Sequence, residues 1–450
     1  MTTRQSNDEV VDRALDVLRA GRVATAEVFV RDALSGSVET KDGTLEVVTA
    51  RGERGLGVRV LDGQRIGFAH TSDLAPAGIE ACVDQARRMA TITDPDEDLR
   101  IASAPLDGVD LDIYQPGLED RPLADRGAIA LAVERAARAV DPRITHFRKT
   151  SYSDAEVTTV IATTRGVRAS YRESFCGAMT SAVATQDGER QIGYHGEGAR
   201  RMAELDPESV GARAAQRALE KLGAKPFPTQ KLPVVLDPWM AMSLLGAIAP
   251  LLSADNVLKG RSLFAGKAGE RVANERVTIV DDARRKGGLR SAPFDGEGVA
   301  TTTRILVERG VLRGYLTNLK TARKMQSAPN GNARRGSYAS PSRIGPSNFY
   351  IEAGADDPAA LLRGLDRALA ITSLLNLHTI DPVSGEFSLG ASATYLERGG
   401  PVYPVQGITI AGNLTHLLSS ISGVGTDLTF GASGVGSPTL VIAELSVGGT

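Results

Sequence analysis

Cysteine, aromatic residues and a dominant sign of charge are all scarce in this chain. Only 2 of its 450 residues are cysteine, and 4% are aromatic. Two cysteines, Cys82 and Cys176, cannot staple a disulfide framework, and they read as free buried thiols in a reducing compartment. Lys and Arg total 52 against 54 for Asp and Glu. That balance leaves no electrostatic footprint for nucleic acid or for an acidic membrane surface. No segment qualifies as transmembrane. The nearly apolar stretch Trp239 to Ala254 has 16 residues, against the roughly 20 that a bilayer asks for, and Pro250 interrupts it. The N-terminal run MTTRQSNDEVVDRALDVL carries acids and no apolar centre, so it does not read as a secretory signal. A cytoplasmic protein is expected, with no nucleic acid and no membrane among its partners. Its 42% hydrophobic fraction is ample for a packed core, and its 48 glycines suit many turns.

The length suggests two domains or one large one. Asn7 can cap a first helix with Val10, Val11, Ala14, Leu15 and Leu18 on one face and Gly21 beyond its end. Strand-like runs follow at Ala26 to Ala33, Ser37 to Ala50 and Gly55 to Leu61, and Asp62-Gly63 turns the last into Arg65 to His70. Helices are expected from Pro76 and over Leu123 to Val140. Strands are expected over Ile144 to Ala162 and Val167 to Thr185, and a further helix from Asp206-Pro207 to Gly223. DGQRIGFAH (Asp62 to His70) and DGERQIGYH (Asp187 to His195) share an Asp-Gly turn, Ile-Gly-aromatic and a closing His. Either the N-terminal part is internally duplicated or two hairpins share turn chemistry. GAKPFPTQKLP (Gly223 to Pro233), with three prolines, is the best boundary. The expected fold class is α+β with two domains: a mixed α/β domain over 1–225, and a β-rich, barrel-like domain with a buried helix over 226–450.

The second part is organised around Lys231 to Asp282. A short strand leads to Asp237 as a helix cap, Pro238 in the first turn, and the apolar helix itself. A metallopeptidase helix would carry His and Glu, because zinc needs imidazole ligands and its water needs a base. Trp239 to Leu252 has no His, Glu or Cys. Beyond it, Val299 to Glu308 and Val311 to Thr317 form a hairpin around Arg309-Gly310, and Thr321 to Met325 a helical turn. Ser327 to Gly354 is a long polar loop, a kind that is usually functional or disordered. Asp357-Pro358 starts a helix expected to reach Leu377. Short strands follow at Glu386 to Leu396, Ile408 to Ala411, Asp427 to Phe430 and Thr439 to Leu445.

Taken by chemistry, few residues stand out. No two of the five histidines lie within one helical turn of each other. GASGVG (Gly431 to Gly436) lacks the last glycine of a nucleophile elbow. The two SGVG runs lack the lysine and helix of a phosphate loop. GERGLG (Gly52 to Gly57) reads as a β-turn, because a strand follows it. Arg334 and Arg335, with Asn332 and Asn348, either grip a peptide backbone or carboxylate or lie in a solvated loop. Asn413 is a candidate for the same channel, or a cap for a short helix 414–421.

Several stretches in order carry a family resemblance. They are RGLGVRVLDGQRIGFAHTSD (Arg54 to Asp73), LKGRSLFAGKAGERVAN (Leu258 to Asn274), LTNLKTARK (Leu316 to Lys324), GNARRGS…GPSNFYIEAG (Gly331 to Gly354), DPVSGEFSLGAS (Asp381 to Ser392), YPVQGITIAGNL (Tyr403 to Leu414) and GSPTLVIAELSVGG (Gly436 to Gly449). The chain resembles the TldD/PmbA family, once called modulators of DNA gyrase. The balanced charge gives that older name no support. The resemblance implies a metal-bearing subunit with an HExxxH helix and a companion of the TldE or PmbA type without one. Gly246 and Leu251 stand where the two His would be, and Ala247 where the Glu would be. Thr426 to Val435 lacks the Cys ligand of the metal subunit. The resemblance therefore implies no catalytic residue and no metal in this chain, with zinc in the partner subunit. The implied partner is a TldD-like HExxxH homologue, and unfolded peptides are the implied substrates. The alternative is a homodimer that binds a peptide or small ligand without a protease partner. A metal-free hydrolase acting alone is the third reading.

Overall fold

In the computed structural model, residues 5–118 and 120–449 are described. The first helix, α1, spans Asn7–Ala20. Its cap is Ser6, not the expected Asn7. Ser6 Oγ accepts from Glu9 N at 3.1 Å and the Glu9 carboxylate accepts from Ser6 N at 2.7 Å, a reciprocal capping box. The five apolar positions expected to face inward are all buried.

Strands β1 (Ala26–Lys41) and β2 (Thr44–Asp62) form one long ribbon. Three shorter runs were expected there, with breaks near Gly36 and Gly52. The chain instead turns at Asp42-Gly43, where φ is 51° and 83°, values suited to a tight hairpin. The glycines mistaken for breaks serve close approach. A Cβ on Gly36 would lie 2.9 Å from the Arg126 guanidinium carbon. On Gly55 it would lie 2.3 Å from the Tyr338 ring, and on Gly57 2.5 Å from the Tyr338 carbonyl oxygen. GERGLG is thus the middle of a strand against which a distant loop packs.

The elements β3 (Arg65–Thr71), α2 (Pro76–Ile92), α3 (Leu123–Val140), β4 (Ile144–Thr163), β5 (Arg168–Gln186), β6 (Glu189–Ala199) and α4 (Pro207–Leu219) complete this half. The strands order β3-β2-β1-β4-β5-β6, antiparallel throughout. The sequence helix-strand-strand-strand-helix therefore occurs twice, with β1 and β4 paired at the junction. The repeated Ile-Gly motif has one physical purpose in both copies. A Cβ on Gly67 would sit 1.9 Å from the Ala86 carbonyl oxygen of α2, and one on Gly193 would sit 2.1 Å from that of Ala214 in α4. Each glycine lets a helix lie directly on its strand. Each motif also ends in a histidine against an aromatic ring from the second half: His70 and Tyr338 are 6.1 Å apart, His195 and Trp239 4.5 Å. Along β1, Val28 and Val30 pack under α1 and α2, while Phe29 faces Phe294 on the other side of the sheet. Both cysteines are free and buried, and burial pushes the Cys82 thiol up to about 11 and the Cys176 thiol up to about 12.

The second half begins with β7 (Gln230–Leu236) and α5 (Pro238–Ile248), followed by a 3-10 turn over Ala249–Leu252 that carries Pro250, then α6 (Ala254–Leu258). Strands β8 (Ile279–Asp282), β9 (Thr303–Glu308) and β10 (Val311–Leu312) come next, then α7 (Leu319–Lys324), β11 (Ala333–Arg334), β12 (Arg343–Ile344) and β13 (Asn348–Ile351). They are followed by α8 (Pro358–Arg363), β14 (Arg367–Leu375), β15 (Glu386–Glu397), β16 (Gly400–Asn413) and α9 (Leu414–Ser419). The last strands are β17 (Ile421–Val424), β18 (Thr429–Phe430), β19 (Val435–Ser437) and β20 (Leu440–Gly448). One sheet runs β16-β15-β14-β7-β20-β17, and β16 also pairs with β20 through Thr409↔Gly448 to Ala411↔Ser446. That extra pairing closes a five-stranded barrel. A second sheet runs β10-β9-β8-β13-β19-β18. Ala241, Met242, Leu244, Leu245 and Ile248 of α5 share one core with the barrel side chains, as expected for a buried helix.

The helix expected from Asp357 to Leu377 is the main correction. It stops at Arg363, and Arg367–Leu375 is a strand between β7 and β15. Ala368, Leu369 and Ile371 are buried there. A continuous apolar run reads equally as a helix face or as a fully buried strand, and the barrel's need for a strand decides it.

Candidate functional site

Asp237 caps α5, its carboxylate accepting from Met240 N at 2.7 Å, and Pro238 occupies the first turn. This fixes the face that α5 turns to the surface. Gly246, Ala249 and Pro250 form one wall of a cavity of about 660 Å³, within the roughly 300–1,000 Å³ typical of ligand sites. The facing wall is Ser342 to Pro346 from the long loop, and Asp255, Asn256 and Asn318 complete the rim. The loop is not a solvated excursion. It contributes β11 and β12, which pair Ala333↔Ile344 and Arg334↔Arg343, and it crosses to the first half at Tyr338.

A buried carboxylate that the sequence did not single out organises the loop. Asp281, at the end of β8, accepts from Asn332 Nδ2 at 2.7 Å, Ser347 N at 2.5 Å and Ser347 Oγ at 3.1 Å. Burial raises its carboxyl above the ordinary range, against the opposing pull of Arg334 and these donors. The only signal available was an Asp-Asp pair after the short run Val277 to Val280, for which no strand was expected.

The candidate residues separate clearly. Gly246 lines the cavity, and a Cβ there would meet nothing within 4 Å. Ala247 does not line it, and Leu251 is packed into the core. Asn332 and Arg334 sit behind the loop wall and donate to the Gly345 carbonyl at 3.3 and 3.4 Å. Arg335 is buried and paired with Glu27 Oε1 at 2.7 Å. Asn348 is also buried; it donates to Asp282 O at 2.6 Å and Ser291 Oγ at 2.8 Å, and accepts from Arg290 N. Asn413 lies apart, capping α9 through Thr415 N at 2.9 Å and holding Ser384 O at 2.8 Å.

The cavity's donor set does not suit zinc. Its one carboxylate, Asp255, is paired with Lys259 at 2.8 Å, and Gly, Ala and Leu side chains carry no ligating atom. Among the described residues, no group of three or more His, Cys, Asp or Glu could hold a metal ion. What the walls offer is hydroxyls, side-chain amides and the backbone of Ser342 to Pro346. Among the described residues β12 pairs with β11 alone, so one edge of this short strand has no strand beside it.

A repeated antiparallel sheet joined to a closed barrel, with a cavity beside the barrel's buried helix, is a TldD/TldE-like fold. The chain belongs to the PmbA/TldD metallopeptidase family. PmbA/TldA metallopeptidase domain 1 matches residues 26–90, the central domain 116–222 and the C-terminal domain 229–449. Metalloprotease PmbA of Escherichia coli O157:H7 is 29% identical over 99% of this chain and 97% of its own. A metalloprotease TldD homolog of Haemophilus influenzae is 27% identical over 100% of this chain and 98% of its own. The crystal structure of a candidate modulator of a DNA gyrase from Thermotoga maritima matches with a TM-score of 0.90 at 29% identity, over 98% of this chain and all of that one. TldE from Thermococcus kodakarensis shares the fold, with a TM-score of 0.85 at 21% identity, over 97% and 100% of the two chains. No described helix is long and apolar enough to cross a membrane.

Proposed function

We propose that this chain is a metal-free, TldE/PmbA-type subunit of a TldD/TldE-type zinc metalloprotease complex that degrades or processes unfolded peptides. The observation that carries the reading is Gly246. By the family resemblance it would stand at the first position of an HExxxH motif, and it forms part of the wall of a ligand-sized cavity while carrying no ligating side chain itself. The attacking water and its zinc then belong to a partner with an intact motif. This chain contributes architecture and peptide binding. An extended peptide laid along Ser342 to Pro346 would take main-chain hydrogen bonds from the free edge of β12, the usual logic of strand addition.

The test is a pull-down of the tagged full chain from its native cells, with mass spectrometry of what stays bound. A stoichiometric homologue carrying HExxxH is the expected result. Recovery of the chain alone would favour a homodimer that binds a peptide or small ligand. Zinc-dependent peptide cleavage by the purified chain alone would overturn the reading.

A further inference from the structure

A second cleft, of about 190 Å³, lies where the face of β1, β4 and β5 meets the loops around Leu289–Gly296 and Ala333–Gly336. It shares no lining residue with the α5 cavity, but the β11–β12 ladder joins their walls. Four guanidinium groups line it: Arg31, Arg290, Arg334 and Arg335. The side chain of Arg335 is wholly buried. Its Nη2 pairs with Glu27, while its Nε and Nη1 have no hydrogen-bond partner among the described residues, and neither has Arg31 Nε. Arg290 Nε donates to the Ser433 carbonyl at 3.1 Å and Arg334 Nε to that of Gly345 at 3.4 Å, so these two are engaged by neutral oxygens.

The two acids of the cleft are already occupied. Glu173 is held by Arg200 Nη1 at 2.9 Å. Asp295 accepts three backbone N–H groups, from Glu297 at 2.9 Å and from Val299 and Ala333 at 3.0 Å. Four cations therefore line the cleft against two engaged anions, with Arg335 also paired to Glu27 behind it, in a space walled by Phe29 and Phe294. A buried guanidinium N–H left unpaired is costly, and the planar guanidinium fork matches a carboxylate in shape and charge. At roughly 30 Å³ per water, the volume holds about six waters, enough for a carboxylate on a short side chain and too small for a nucleotide.

We propose that this arginine cleft is a carboxylate-binding subsite for one residue of a peptide. It deepens the function proposed above by naming the chemistry of one subsite, and rests on that reading only for the ligand being a peptide. The test is calorimetric titration of the full chain at fixed ionic strength with acetyl-Ala-Ala, its C-terminal amide, and acetyl-Asp amide. Saturable binding of acetyl-Ala-Ala alone identifies a peptide terminus as the ligand; binding of acetyl-Asp amide alone identifies an acidic side chain. Either supports the subsite, as does binding of both. Arg31→Gln and Arg290→Gln should each weaken the carboxylate about tenfold or more, as loss of a charged hydrogen bond predicts. No binding by any probe, equal binding of acid and amide, or affinities unchanged in both variants would overturn it. None of these results depends on a partner subunit, so the subsite can fail while the pull-down succeeds, and the reverse.

Discussion

Arg335 Nη2 and Glu27 Oε1 meet at 2.7 Å with both side chains fully shielded from water, although 308 positions separate them in the chain. Arg59, opposite Glu27 on β2, donates to the same carboxylate and reaches Glu297 Oε1 at 3.0 Å. This buried quartet ties the first strand of one half to the long loop of the other.

Removing the shared carboxylate leaves the buried Arg335 guanidinium without its acid partner and Arg59 with Glu297 alone. Glu27→Gln should cost about 3–5 kcal/mol of stability, the usual penalty for breaking a buried pair from one side, measured by urea denaturation. Burial opposes ionisation of Glu27, but Arg59 and Arg335 overcome it and hold the carboxyl below its ordinary value. A depressed carboxyl contributes stability that is present above the unfolded value, about 4.3, and is lost as pH falls through the folded one. The variant should lack that part of the acid limb.

The two Ile-Gly motifs make a paired prediction. Gly67→Ala and Gly193→Ala each press a methyl group into a helix carbonyl that cannot move freely. Each should cost about 1–3 kcal/mol, as overpacking does. The two effects should add, because the sites have no common neighbours. Chemical denaturation of the two single variants and the double variant checks both points.

Gly246 behaves oppositely. It lies in α5 with open space where a Cβ would point. Gly246→Ala should stabilise the chain by roughly 0.5–1 kcal/mol, the helix-interior cost of glycine. Gly246→Phe should fold and melt normally but fill the cavity, and fluorescence anisotropy with labelled unfolded peptides should then show binding lost.

His195 supplies a neutral-range pH dependence. Its Nε2 meets Glu197 Oε1 at 2.9 Å, while its buried Nδ1 has no hydrogen-bond partner among the described residues. Burial lowers its pKa below the ordinary histidine value, against the pull of Glu197. The stability it contributes is whole above about pH 6.5 and declines as pH falls below it, by at most about 1.4 kcal/mol per unit. His195→Phe should remove this slope below about pH 6.5 in a melting series.

The helices of the first half and the Asp62-Gly63 and Asp187-Gly188 turns were readable because their signals are local, an apolar face every three to four residues and a residue pair that tolerates positive φ; the same pair at Asp42-Gly43 was overlooked inside an expected strand. Asp237 and Pro238 announced α5 in the same way. Gly36, Gly52, Gly55 and Gly57 were misread because a glycine that admits a neighbour looks like one that bends the chain. Arg367–Leu375 was misread because only its barrel neighbours make it a strand. Within the site, only the long polar loop was legible as a candidate; the cavity that Gly246 lines was not. The roles of Asp281, Arg335 and Glu27 were not, since each depends on a partner far away in sequence.

The closing pair of the barrel, β16 with β20, has a consequence for synthesis. β20 lies beside the strand that opens the second half, and its own residues are made after every other strand of the barrel. The first half has every one of its strands and helices by Leu219 and can fold while the ribosome is still at work. The second half must wait with an open-edged, apolar sheet until Leu440–Gly448 emerges. Unfinished or truncated chains should therefore be the species that aggregate and that chaperones hold.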